Sequence, residues 1–157
     1  MDASREPGVT PLAALGFLIG CWRGRGTWGA AEFVCRTEGR VLLGRFLELD
    51  VRAEVPGGRA HAERLIVHGD ATRLTATLYP DRGDVQVFDV HVAGPGAGVR
   101  LVFTPPRGSG LAAQRWTLVR TERGYDERYE RAGASGAFET SVSCSYEPDD
   151  PAAGAAP

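Results

Sequence analysis

Short segments rich in Val, Leu, Thr, Phe, Tyr and Trp recur along this chain at near-regular intervals, with turn-forming residues between them. Gly69-Asp70, Asp81-Arg82-Gly83 and Arg123-Gly124 are examples of these turn signals. Several short strands with no helical stretch between them predict an all-β sandwich or barrel. Ten segments qualify as strands, with approximate bounds 21–28, 31–38, 42–55, 62–68, 73–79, 84–93, 99–104, 112–122, 125–131 and 138–146.

Alternation within these segments favours a barrel. From Leu47 to Val55 the odd positions are apolar and the even positions are charged. The last segment repeats the pattern, with one face formed by Phe138, Val142, Cys144 and Tyr146. One apolar and one polar face per strand, joined by tight turns, is typical of a meander that closes on itself and so leaves no exposed edge. We therefore predict a roughly ten-stranded antiparallel up-and-down barrel.

The two ends of the chain differ from the rest. Thr10 and Pro11 form a helix-start signal before the apolar run 12–18, which predicts a short N-terminal capping helix. We expect residues 1–10 to be a flexible tail and residues 11–147 to form the barrel domain. Residues 148–157 have too little hydrophobicity to fold, so we expect a disordered C-terminal tail.

Charge and composition restrict the partners. The net charge is −2, so the chain lacks the basic excess that nucleic acid or an anionic membrane attracts. All 18 basic residues are arginine, which excludes Schiff-base chemistry on a lysine. Neither a secretory signal nor an apolar run long enough to span a membrane is visible, and the three cysteines suit buried free thiols, so we expect a cytoplasmic protein. A homodimer is compatible with these features.

Two motifs resemble a known group of barrels. The string Gly20-x-Trp22-x-Gly24-x-Gly26 resembles the opening of lipocalin-like (calycin) barrels, and of the nitrobindin group in particular. The stretch from His61 to Glu63 resembles an H-x-E stretch on a mid-barrel strand of that group. The layout is also similar to that of an uncharacterised bacterial family of lipocalin-like domains. The resemblance covers roughly residues 12–147 and implies a ten-stranded barrel similar to fatty-acid-binding proteins, in which Trp22 plugs one end.

The same resemblance raises the question of haem. Nitrobindin-type proteins hold haem through a histidine on the final strands, whereas the final strands here contain none. Cys144 and Tyr146 are the remaining axial-ligand types there. We therefore predict no cofactor, and no metal-binding motif is present. Haem binding with nitrogen-oxide chemistry remains a disfavoured alternative.

The predicted function is binding of a small, mostly apolar molecule inside the barrel, since a barrel of this strand number is wider than its side chains readily fill. The expected ligand-binding residues are Trp28, Cys35, His61, Tyr79, His91, Trp116, Tyr129, Phe138 and Cys144. The alternative is an enzyme that isomerises, cyclises or hydrates an apolar metabolite in the cavity. Its acid–base candidates are His61, Asp89 and His91. Burial of His61 at the cavity wall would lower its pKa.

In two segments the sequence does not decide which side chains point into the barrel and which point outward. Between Asp84 and Val92 the apolar parity changes, so either a bulge is present and Asp89 and His91 face solvent, or both point inward. In the strand that begins at Tyr125, Glu127 lies on the same face as two tyrosines. That face is either a polar ligand cradle or an outer surface.

Overall fold

The chain folds into a closed barrel of ten antiparallel strands in up-and-down order, as the alternation predicted. The computed structural model describes residues 11–55, 57–58, 60–70, 72–94, 98–111 and 113–149. The predicted flexible segment 1–10, and all but the first two residues of the predicted disordered segment 148–157, lie outside these ranges. The strands are β1 (Gly20–Trp28), β2 (Ala31–Leu42), β3 (Phe46–Glu54), β4 (His61–Gly69), β5 (Leu74–Pro80), β6 (Gln86–Ala93), β7 (Arg100–Thr104), β8 (Gln114–Arg120), β9 (Tyr125–Ala132) and β10 (Phe138–Pro148).

Each strand pairs with its neighbours in sequence, and β1 pairs with β10 to close the sheet. The closing register sets Gly24 opposite Tyr146 and Trp28 opposite Val142. Closure satisfies the backbone hydrogen bonds that an open ten-stranded meander would leave exposed at two edges. Within the described ranges no helix is long and apolar enough to cross a membrane.

A short helix covers one end of the barrel. Residues Pro11–Leu18 form a 3-10 helix whose Leu15 and Leu18 are fully buried in the core. Trp22 donates its indole N–H to the Leu18 carbonyl oxygen at 3.1 Å and packs edge-on against Tyr125, with ring centroids 5.4 Å apart. The helix and Trp22 together close this end, so the barrel opens at the other end, which we call the mouth.

Gly24 allows three side chains to meet over the first strand. A Cβ atom at this position would overlap the sulfur atoms of Cys35 and Cys144 and the ring of Tyr146. The absence of a side chain therefore permits residues of β2 and β10 to pack directly over the strand between them.

The last strand differs from its predicted pattern. The pairing of β10 with β9 shifts register between Thr140 and Val142. Before the shift Phe138 lies on the outer face, with the Arg115 guanidinium 4.5 Å from its ring centre. After the shift Cys144 and Tyr146 point inward and are buried. A bulge adds one residue and so reverses the facing of everything before it, which is why strict alternation placed Phe138 on the wrong side.

Strand β6 has no inward-facing acid–base pair. Phe88 and Val90 are buried in the core, whereas Val85 and Val87 are exposed. The Asp89 carboxylate forms an ion pair with Arg73 on the outside of the barrel. The change of parity in the sequence thus reflects exposed valines before and within β6, and the register of β6 with β5 is regular.

Candidate functional site

The mouth half of the barrel contains a cavity of about 390 Å³. Its wall carries six aromatic side chains: Trp28, Phe33, Phe88, Trp116, Tyr129 and Tyr146. It also carries two carboxylates, two arginines and one histidine, namely Glu63, Glu127, Arg82, Arg131 and His61. The volume lies within the range of small-molecule sites, and an apolar wall with a few polar groups is typical of them.

Five of the nine expected ligand-binding residues line this cavity: Trp28, Cys35, His61, Trp116 and Tyr129. Trp28 and His61 lie at the mouth, where their rings meet edge to face with centroids 6.1 Å apart. Trp116 lies deeper and stacks at a tilt on Phe103, with ring centroids 4.7 Å apart. The alternation of apolar and polar side chains along the strands was sufficient to predict that these five face the interior.

The other four expected residues lie elsewhere. Tyr79 and Phe138 are on the outer face, with 46% and 41% of their surfaces exposed. His91 is exposed on β6. Cys144 is inside the barrel and buried, but it lies behind Cys35 and does not line the cavity.

Glu127 lines the cavity and was absent from the expected ligand-binding set. It lies on β9 between Tyr125 and Tyr129, and this face of the strand points into the barrel and not outward. The Tyr146 hydroxyl donates a hydrogen bond to Glu127 Oε2 at 2.6 Å. Burial raises the pKa of Glu127 to about 7, against the opposing effect of this hydrogen bond. A carboxyl of this kind can gain or lose a proton near neutral pH.

Trp116 presents an unused hydrogen-bond donor beside Glu127. Its indole N–H is buried and has no hydrogen-bond partner among the described residues. It is nevertheless close enough to the Glu127 carboxylate to lower the pKa of that group. A buried donor without a partner costs free energy, so a ligand or an ionised Glu127 that accepts from it would remove that cost.

His61 lies between two carboxylates at the mouth. Its Nε2 is 3.0 Å from Glu63 Oε2 and its Nδ1 is 3.0 Å from Asp81 Oδ1. Carboxylate oxygens only accept, so both contacts become hydrogen bonds when the ring carries a proton on each nitrogen. The hydrogen bond to Glu63 therefore raises the pKa of His61, which corrects the expectation that burial would lower it. Burial does act in the expected direction, but the Glu63 contact outweighs it.

Two thiols meet beneath the cavity. The sulfur atoms of Cys35 and Cys144 are 3.4 Å apart, and both cysteines are free and buried. The contact with Cys144 lowers the pKa of Cys35, because an S–H donated from one sulfur stabilises a thiolate on the other. The contact with Cys35, followed by burial, raises the pKa of Cys144 instead. The two thiols thus form one hydrogen-bonding contact, with Cys35 at the cavity wall and Cys144 behind it, which the sequence did not reveal.

The residues present do not fit a histidine-ligated haem. Of the three histidines, His61 borders the cavity, and each of its ring nitrogens contacts a carboxylate. On the last strand, the Tyr146 hydroxyl bonds to Glu127 and Cys144 Sγ contacts Cys35 Sγ. No cluster of three or more metal-ligating side chains occurs in the part of the chain that the structure describes.

Comparison with known proteins finds similarity at the level of structure. No protein-family model matches the chain, and no curated protein matches its sequence. Among the solved structures, 13 chains match, and one of them is described as the crystal structure of Rv2717c from M. tuberculosis. The two chains share 14% sequence identity over 88% of this chain and 97% of that one, with a TM-score of 0.73. At this identity the likeness shows a common barrel fold.

Proposed function

We propose that this protein binds a small, mostly apolar molecule in the mouth half of its barrel. The observation that carries the proposal is the cavity of about 390 Å³, whose wall combines six aromatic rings with a polar floor around Glu127. The side chains that fill the barrel stop short of the mouth, whereas the helix end is packed by Leu15, Leu18 and Trp22. Membership of the lipocalin-like barrels, which the opening motif suggests, is part of the same proposal.

The wall favours a ligand with one polar end. Phe33, Phe88 and Trp116 offer apolar surface, while the Trp116 N–H and the Glu127 carboxyl offer hydrogen bonds at one place. Burial of apolar ligand surface supplies most of the affinity in such sites, and a few polar groups fix the orientation. The bound molecule would therefore place its polar group against Glu127 and its body between the rings.

Native mass spectrometry of the protein as purified tests this function directly. We expect a co-purified small molecule, or binding of a neutral aromatic probe such as 2-phenylethanol at the cavity. Ala53→Phe adds a ring to a buried position on the cavity wall and should abolish probe binding. Val87→Phe adds the same ring to an exposed position and serves as the matched control. Equal probe binding by both variants would contradict the assignment of the cavity.

A second candidate function is acid–base catalysis in the same cavity, in keeping with an isomerase, cyclase or hydratase. It is favoured by the position of Glu127, an inward-facing carboxyl with a pKa of about 7 in an aromatic cavity. Of the residues expected from the sequence for this role, His61 borders the cavity, whereas Asp89 and His91 face outward. A carboxylate in such surroundings is a stronger base than one in water.

The probe 5-nitrobenzisoxazole tests this second function, because a base that takes its ring C–H proton opens the N–O bond to a coloured phenolate. We expect the protein to accelerate the opening with a rate that rises through about pH 7, the pKa of Glu127. Glu127→Gln should remove the acceleration, and Asp126→Asn, its outward-facing neighbour, should retain it. An unchanged rate in Glu127→Gln would exclude Glu127 as the base.

A further inference from the structure

Glu127 lines the cavity and, unlike the two buried carboxylates Glu48 and Glu130, has no cation paired with it in the part of the chain that the structure describes. Glu48 is 2% exposed and lies between Arg40 and Arg64, with N···O distances of 3.1 and 2.8 Å. Glu130 is 8% exposed and pairs with Arg115 at 2.8 Å. None of the ion pairs among the described residues includes Glu127.

The groups that face Glu127 supply no positive charge. On β10 and β8 these are Tyr146, Cys144 and the Trp116 indole. On β9 itself the group is Tyr125, and from β2 and β4 they are Cys35 and Glu63. Glu63 is itself a carboxylate and opposes ionisation of Glu127. A buried carboxylate without a counter-ion is costly to ionise, and an incoming cation removes that cost.

We propose that the cavity binds a protonated amine with an aromatic or aliphatic body, and that its ammonium group lies against the Glu127 carboxylate. This inference rests on the proposed function, since it names the chemistry of the ligand of the same cavity. The rings of Trp116, Phe88 and Phe33 line the same cavity, and an aromatic ring attracts a nearby cation through the negative potential of its face. An ionised Glu127 would also accept from the Trp116 N–H, which then gains the partner it lacks.

Two arginines border the cavity, and each makes polar contacts with groups other than Glu127. Arg131 lies four residues from Glu127 along β9, about 13 Å at the rise of a strand. Its guanidinium packs on the Tyr129 ring, and its Nε donates to the Tyr129 hydroxyl at 3.3 Å. Arg82 donates to the Ala60 carbonyl oxygen at 3.4 Å. At this separation salt, which screens over about 8 Å, weakens the repulsion between Arg131 and a cation bound at Glu127.

A matched pair of probes separates charge from shape. 2-Phenylethylamine and 2-phenylethanol have nearly the same size, and the amine carries a positive charge at neutral pH. Isothermal titration calorimetry of the intact protein should show the amine binding about tenfold or more tighter than the alcohol, as expected for a charge-assisted hydrogen bond. The affinity for the amine should rise from about pH 6 to about pH 8, because Glu127 must lose its proton to pair with the ammonium, and the affinity for the alcohol should stay level.

Variants assign the preference to Glu127. Glu127→Gln keeps the size of the side chain and should bind both probes with similar affinity, whereas the control Asp126→Asn should keep the preference for the amine. Tyr146→Phe leaves the carboxylate in place and removes its donor, so the rise in amine affinity should move to higher pH. This second variant tests the proposal even when Glu127→Gln does not fold.

The outcomes distinguish this inference from the proposed function. Binding of 2-phenylethanol with no preference for the amine would overturn the inference and leave the proposed function standing. Binding of neither probe, with no co-purified molecule, would overturn both. A preference for the amine that persists in Glu127→Gln would also overturn the inference, because the charge would then be recognised elsewhere.

Discussion

The hydroxyl of Tyr146 donates to Oε2 of Glu127 at 2.6 Å, and the Tyr146 ring stacks on Tyr125 with centroids 4.3 Å apart. Stacking on Tyr125 holds the Tyr146 ring in place, and the Tyr146 hydroxyl in turn positions the Glu127 carboxyl. This one contact joins the packed end of the barrel to the cavity and connects folding stability to the protonation of the site.

The raised pKa of Glu127 has a cost in stability. The pKa is about 7 in the folded chain and near 4.5 in the unfolded chain, so between these values the folded state binds more protons and stability falls as the pH rises. By this difference, ionised Glu127 costs up to about 3 kcal/mol above pH 7. Glu127→Gln should therefore gain stability relative to the parent protein between about pH 5 and pH 8.

Urea unfolding at a series of pH values measures this gain. Asp126→Asn, an exposed substitution on the same strand, provides the baseline. A stability difference between Glu127→Gln and the parent that stays constant with pH would contradict a raised pKa for Glu127.

His61 should shift stability in the same direction, because its pKa is also raised on folding. Its pKa is raised by the contact with Glu63, so its pairing stabilises the fold fully below about pH 6.5 and loses this effect as the pH rises through the raised value. Because the side chain is 28% exposed, the contribution is at most about 1 kcal/mol. Glu63→Gln should lower the pKa of His61, as measured by NMR titration of the ring protons. An unchanged pKa in this variant would contradict the contact with Glu63 as the cause of the shift.

His61 should also affect the ligand, since it borders the mouth beside Trp28. We expect His61→Ala to alter the affinity for 2-phenylethanol by about threefold or more, with the fold intact, because one imidazole at a cavity wall fills little core volume. His91→Ala removes the same group from the outer face of β6 and should leave the affinity unchanged. Equal changes in affinity for the two variants would contradict the assignment of His61 to the ligand site.

Gly24 should be intolerant of a side chain. Gly24→Ala places a methyl group into the space that the sulfur atoms of Cys35 and Cys144 occupy, and we expect a loss of about 1–3 kcal/mol in the free energy of unfolding. Combining it with Cys35→Ala and Cys144→Ala should restore part of that loss, although the Tyr146 ring still contacts the added methyl. Strict additivity of the three substitutions would contradict the contact.

Titration with hemin tests the expectation that the protein does not bind haem through a histidine. Hemin titrated into the protein should not give the spectrum of a histidine-ligated iron, since both nitrogens of His61 contact carboxylates. A sharp shift of the Soret band that disappears in His61→Ala would overturn this expectation.

The sequence predicted the ten strands because alternation and turn residues are local signals, and the closed barrel follows once each strand has one apolar face. The same alternation along the strands predicted five of the residues that line the cavity. It failed at Phe138, because the register shift near Ser141 arises from pairing with β9 and leaves no local mark. It also missed the contact of His61 with Asp81, which lies on the loop after β5 and meets the ring only in three dimensions.

The pairing of β1 with β10 has a consequence for synthesis of the chain. The ribosome releases β1 first, and its partner on one side emerges last, so the edge of β1 that will meet β10 stays unpaired while the intervening strands are made. The cavity wall includes Trp28 of β1 and Val142 of β10, so the wall is incomplete until β10 has been made. A molecule that binds in this cavity would therefore find its site only in the closed barrel.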